Sequence, residues 1–172
     1  MLPFAPSPES VGVSSAGLLR FLEEASAAGL EFHGLVLVRH GKIACEMAWA
    51  PYATDTPHML FSLSKSFTSA AVGFAVSEGY FGYDSRVIDL LPDKAPKGPS
   101  EWLKAMTVHD LLCMGSGLSS ASDSVDPACP DWAARTLSFP VEHAPGTRFH
   151  YNSQNTFLCS QIVQRKTGRC VR

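Results

Sequence analysis

The sequence predicts an α+β fold: an antiparallel sheet flanked by helices, continuing into a helical region. Three observations carry this. Two short β-prone runs, Leu35-Val36-Leu37-Val38 and Ile43 to Ala48, are joined by the polar link Arg39-His40-Gly41-Lys42, which reads as a hairpin. Between residues 62 and 78, Phe67, Ala70, Ala71, Phe74 and Ala75 recur at three- and four-residue steps, the period of a helix with a buried face. Residues 50–172 contain no further convincing strand, only helices and loops. Strands followed by a run of helices is the pattern of an α+β domain.

The elements follow in order. Ser14 and Ser15 can cap a helix whose apolar positions are Leu18, Phe21, Leu22 and Ala25, with Gly29 ending it. Strands are expected near 33–39 and 43–49, and Pro51 and Pro57 bracket an irregular link. The helix from about Ser62 is stopped by Gly79. Thr107 caps a helix from about Val108 to Met114, closed by Gly115-Ser116-Gly117. Residues 119–131 are polar and contain proline, which predicts a surface loop. A short helix near 131–136, a turn at Pro145-Gly146 and a last helix from about Gln154 to Lys166 complete the chain. One domain is expected over 1–172, with a sheet-and-long-helix part at 1–80 and a mostly helical part at 81–172.

The composition narrows the function. Of 172 residues, 45% are hydrophobic, enough for a packed core, and 17% are charged, below the usual fraction of about 25%. A net charge of −2 without charge blocks argues against a nucleic-acid partner. The five cysteines, Cys45, Cys113, Cys129, Cys159 and Cys170, form no C-x-x-C pair and read as free thiols in a reducing compartment. The opening Met1-Leu2-Pro3-Phe4-Ala5-Pro6 lacks the features of a secretory signal, and no apolar stretch is long enough for a membrane span. A cytoplasmic location is therefore expected. The six histidines show no paired metal spacing, so neither metal nor cofactor is expected.

The chemistry concentrates at Phe61-Ser62-Leu63-Ser64-Lys65-Ser66-Phe67. On a helix, Ser62 and Lys65 share a face. A serine hydroxyl is a poor nucleophile until a base takes its proton, and a nearby lysine can do so. The helix N-terminus adds partial positive charge, which favours an anionic adduct. Ser64 lies roughly 100° around the helix from Lys65 and cannot share its face. Ser69 can, but it falls in mid-helix. Ser62 is the expected nucleophile and Lys65 its base.

The S-x-x-K element is shared by serine β-lactamases and penicillin-binding proteins. The chain resembles their class C β-lactamase, D-alanyl-D-alanine carboxypeptidase and esterase branch over nearly its whole length. The resemblance covers the strand pair through Gly41-Lys42-Ile43, Phe61 to Thr68, Glu78-Gly79 and the Val87-to-Pro92 stretch. It continues in Met106-Thr107-Val108-His109-Asp110-Leu111-Leu112, Ser116-Gly117-Leu118 and Pro145-Gly146-Thr147-Arg148-Phe149-His150-Tyr151-Asn152-Ser153. It implies a β-lactamase/transpeptidase-like fold and a serine hydrolase that cleaves a β-lactam, a D-amino peptide or a small ester through an acyl-enzyme. It also implies that Tyr151 is the second catalytic side chain. The physical reading agrees, because a nearby ammonium favours a phenolate that can shuttle a proton. Where the family has Tyr-x-Asn, this chain has Tyr151-Asn152-Ser153. Ser153 is thus a candidate substrate contact that lacks the two-ended amide, which weakens the case for β-lactams and leaves esters or other amides open.

The string Lys166-Thr167-Gly168 matches the family's Lys/His-Thr/Ser-Gly triplet literally, but it falls at the end of a predicted helix and is set aside. The resemblance implies further sheet strands and a second oxyanion-hole N–H from a C-terminal part. The fold is therefore expected to be incomplete at the C-terminus and to need a C-terminal fragment or a swapped copy to complete the sheet. Small-molecule esters or amides are the expected substrates. The competing reading is a non-catalytic ligand- or partner-binding module, or an inactive truncated fragment of such a hydrolase.

Overall fold

The computed structural model describes residues 2–171, which fall into two compact units divided between Met59 and Leu60. The fold is α+β, with seven α-helices and one two-stranded antiparallel sheet among the described residues. Among the described residues, no helix is long and apolar enough to cross a membrane.

The first unit contains helix α1 (Ser15–Ala27) and strands β1 (Gly34–Arg39) and β2 (Lys42–Ala48). The Ser14 hydroxyl caps α1 by accepting the Gly17 N–H at 3.1 Å, which satisfies one of the free donors of the first turn. The hairpin turn is His40-Gly41, with both residues at positive φ (50° and 70°), as a tight two-residue hairpin link requires. The register runs from Gly34↔Ala48 to Leu37↔Cys45 and then jumps to Val38↔Ile43, leaving Ala44 as an extra residue in β2. This bulge breaks the strict alternation of the strand, so consecutive Ile43 and Ala44 are both buried. The N-terminal segment pairs along β2: Ala5 N–H donates to Ile43 O at 2.8 Å and Ile43 N–H to Pro3 O at 2.9 Å. That edge is therefore partly covered from within the unit, whereas Val36 and Val38 of β1 stay exposed.

The second unit is helical. It contains α2 (Ser64–Ser77), α3 (Val87–Leu90), α4 (Glu101–Ala105), α5 (Val108–Leu112), α6 (Trp132–Leu137) and α7 (Ser153–Thr167). Its core includes Val72 of α2, Leu111 of α5, Leu137 of α6, and Leu158 and Ile162 of α7, all without measurable exposure. Helix α7 is the central element, with α2, α5 and α6 packed on it. Three of the four short helices, α4, α5 and α6, start on a side-chain cap. Ser100 accepts from Leu103 N–H, Asp131 accepts from Ala134 N–H, and Thr107 and Asp110 cap each other's backbone in a reciprocal box. These caps matter because helices of four to six residues lack the length to persist on propensity alone.

Three local expectations change. The long helix begins at Ser64, two residues later than expected, because Phe61–Leu63 forms a 3-10 turn before it. Helix α5 ends at Leu112, and Met114 turns to positive φ (56°) to leave it. Helices α3 and α4 were not foreseen, since one turn of helix is too short to display a period.

Candidate active site

The 3-10 turn at Phe61–Leu63 sets the first half of the site. The turn runs directly into α2, so Ser62 and Lys65, three residues apart, lie on one side of the junction, and Lys65 Nζ donates to Ser62 Oγ at 3.2 Å. The turn is entered through Phe61 at φ 46°, a left-handed conformation that is uncommon for an aromatic residue. Ser64 and Ser69 are exposed, and neither side chain is within hydrogen-bond reach of Lys65 among the described residues.

Tyr151 supplies the second half. Its Oη lies 2.6 Å from Ser62 Oγ, across 89 positions of sequence. Lys65 Nζ is 4.9 Å from the centroid of the Tyr151 ring, within cation–π range. The Lys65 ammonium first, and the Ser62 hydroxyl second, hold the Tyr151 phenol below its ordinary value. The tyrosine is half exposed, so its acidity comes from these partners and is opposed by what little burial it has. The structure thus brings Ser62, Lys65 and Tyr151 into one cluster. Ser153 stands beside it as the exposed first residue of α7. Lys166 and Thr167 close α7, and Gly168 follows as its left-handed cap (φ 72°).

The segment carrying Tyr151 is seated by backbone as much as by side chains. Gly146 N–H donates to Gly115 O at 2.8 Å, and His150 N–H donates to Met114 O at 2.8 Å. A β-carbon on Gly115 would lie 3.4 Å from Gly146 Cα, so the two strings approach closely because both carry glycine there. Gly115-Ser116-Gly117 is thus both the stop of α5 and the bed for the Pro145–Tyr151 segment. Asn152, buried, caps α7 by accepting Gln154 N–H at 2.8 Å, while its Nδ2 donates to Ser122 Oγ at 2.6 Å. His150 Nε2 lies 2.8 and 3.0 Å from the two Asp123 carboxylate oxygens. Sequence reasoning missed Asn152, Ser122 and Asp123. The first had a signal, an asparagine directly before a helix. The other two lay in a polar loop with none.

The beta-lactamase family profile matches residues 20–171. A protein described as fimbrial assembly protein FimD, serogroup D, of Dichelobacter nodosus is 27% identical over 139 residues, covering 73% of this chain and 35% of that protein. The 6-aminohexanoate-dimer hydrolase of Paenarthrobacter ureafaciens is 29% identical over 154 residues, covering 77% of this chain and 38% of the relative. Among solved structures, a penicillin-binding protein homologue from Caulobacter crescentus superposes with a TM-score of 0.67 at 25% identity. The match covers 91% of this chain and 45% of that one. The chain therefore spans between a third and a half of the length of the proteins it matches.

Proposed function

Because the chain belongs to the beta-lactamase family, we propose that it carries the nucleophile and proton-handling groups of a serine hydrolase acting through an acyl-enzyme on Ser62. The observation that supports this best is the 2.6 Å contact of Ser62 Oγ with Tyr151 Oη, with Lys65 Nζ 3.2 Å from the same oxygen. Lys65 and Tyr151 handle the proton between them: the Lys65 ammonium favours the Tyr151 phenolate, and the shorter path for the Ser62 proton runs to that phenolate oxygen. As that proton leaves, Ser62 Oγ attacks the substrate carbonyl carbon, and the C=O electron pair moves onto oxygen. The backbone N–H of Ser62 is one donor for the resulting oxyanion. The tetrahedral adduct then collapses. The bond to the leaving alcohol or amine breaks, and Tyr151 returns the proton to the departing atom. Water repeats the sequence on the acyl-Ser62 ester and releases the acid.

A small ester or amide is the substrate class. Ser153, in place of a two-ended amide, weakens the case for β-lactams, and the relative named as a 6-aminohexanoate-dimer hydrolase is a second support. Leu63, Phe67 and Phe74 are all more than half exposed. The proposal therefore includes a completing segment, a C-terminal fragment or a swapped copy, that covers this face and forms the other wall of the cleft. Treating the protein with a fluorophosphonate probe and mapping the adduct by mass spectrometry tests the reading. Label on Ser62, lost in Ser62→Ala, is the expected result. Label on Ser64 or Ser69 with Ser62 free would reassign the nucleophile, and no label would favour a non-catalytic binding module.

A further inference from the structure

Tyr151 has little of its own to hold it: the ring is half exposed, and its phenol meets Ser62, Lys65 and, more weakly, Ser153. The residues on either side are held firmly. His150 Nε2 meets the Asp123 carboxylate at 2.8 and 3.0 Å, and Asn152 Nδ2 donates to Ser122 Oγ at 2.6 Å. Both partners belong to one short 3-10 turn, Ser120–Asp123. That turn is itself anchored, since Ser122 is fully buried and its hydroxyl donates to Ser119 O at 2.7 Å. Asn152 has extended backbone (φ −143°, ψ 116°). In extended chain, successive side chains leave on opposite sides, so gripping positions 150 and 152 on one side directs position 151 to the other.

We propose that Ser122 and Asp123 are positioning residues for Tyr151, gripping the residues on both sides of it and so fixing the phenol against Ser62 and Lys65. The inference rests on the reading of Tyr151 as the proton carrier, which it deepens by saying what aims that group. A displacement of about 1 Å at a reacting group can cost on the order of a hundredfold in rate, so such a grip has a measurable effect. Asp123 is the cleaner handle, because its side chain is partly exposed whereas Ser122 is fully buried.

The test follows the Tyr151 phenol directly. The protein has four tyrosines, and ¹³Cζ-tyrosine NMR titration resolves them, with Tyr151→Phe identifying the resonance. In the wild type the Tyr151 midpoint lies below the ordinary value of about 10. Asp123→Ala is expected to raise it by about half a pH unit, as the phenol drifts from Lys65. Loss of the Asp123 charge alone would move the midpoint down, so the sign separates the two causes. Asp123→Asn keeps an acceptor for His150 and should not raise it. Fluorophosphonate labelling of Ser62 should slow roughly 10-fold in Asp123→Ala, and no further when Tyr151→Phe is already present. A merely structural loss would add to Tyr151→Phe. A Tyr151 midpoint that stays put or falls in Asp123→Ala, or rises equally in Asp123→Asn, overturns the inference. If Ser62 takes no label in the wild type while the midpoint behaves as described, the functional reading fails and the positioning stands.

Discussion

The carbonyl oxygen of His143 fills the space that a side chain at Gly117 would need: a β-carbon there would sit 2.0 Å from it. Gly117 also has φ 74°, which L-residues rarely adopt, and its own carbonyl accepts Glu142 N–H at 2.8 Å. Gly117→Ala must therefore push apart backbone that is hydrogen-bonded in place, and should destabilise by about 3 kcal/mol or more. Gly29→Ala is the control. Its φ is similar at 69°, but nothing lies within 4 Å of the added carbon, so only the backbone penalty of about 1–2 kcal/mol remains. Urea unfolding of the two variants measures the difference, and equal losses would show that the clash relaxes freely.

Tyr151 should set the pH dependence of Ser62 reactivity. Its phenol is held down by Lys65 and then Ser62, so the phenolate form grows in below the ordinary tyrosine range. Reactivity should rise with pH on a limb centred below about 10, because the deprotonated form is the one that accepts the Ser62 proton. In Tyr151→Phe that limb should vanish, with turnover lower by roughly 10²–10⁴-fold and folding little changed. An unaltered limb in the variant would assign the titration to another group.

Phe61 offers an unusual case for a phenylalanine. Replacing a buried Phe by a small residue costs several kcal/mol, but Phe61 is 77% exposed and stands at positive φ. Glycine there removes the left-handed strain of about 1–2 kcal/mol and sacrifices about 0.5–1 kcal/mol of chain entropy. Phe61→Gly is expected to be neutral to slightly stabilising in thermal unfolding. Phe61→Val, β-branched at the same φ, should be clearly destabilising.

Cys159 differs from the other thiols. It is buried in α7, and burial pushes its thiol up to about 12. Cys113 and Cys170 are exposed. Iodoacetamide at pH 8 should modify Cys113 and Cys170 in the native protein and reach Cys159 only after unfolding. The thiol also carries a stability signature. Below about 8.5 it is protonated in both states and contributes no slope. Between that value and about 12 the unfolded chain releases a proton that the folded chain keeps, so stability falls as pH rises. Urea midpoints at pH 8 and 10.5 should fall less in Cys159→Ala than in wild type.

Much of this was legible in the sequence, for reasons that differ from residue to residue. The hairpin could be read because Gly41 sits between two β-prone runs, and α2 because its small residues repeat at helical steps over several turns. Ser62 and Lys65 could be paired because three residues is a contact distance along any helix-like turn. Their meeting with Tyr151 could be expected only from a resemblance, since no local rule relates residues 89 positions apart. The β2 bulge at Ala44 stayed invisible, because alternation gives no warning of an extra residue. The Ser122 and Asp123 contacts were hidden for a different reason: a polar loop looks the same whether its side chains face water or another segment.

The packing of α2 on α7 also bears on how the site comes into being. Closing a loop of that span costs roughly 4 kcal/mol of chain entropy, with almost no compensation from the site's own few hydrogen bonds. The return comes from core residues such as Val72, Leu158 and Ile162, which dock the two helices. Ser62 and Tyr151 are therefore expected to meet only with the docking of α2 on α7. Reactive serine should appear during refolding as a single step that tracks helix docking, and the probe that labels it doubles as a clock for tertiary assembly.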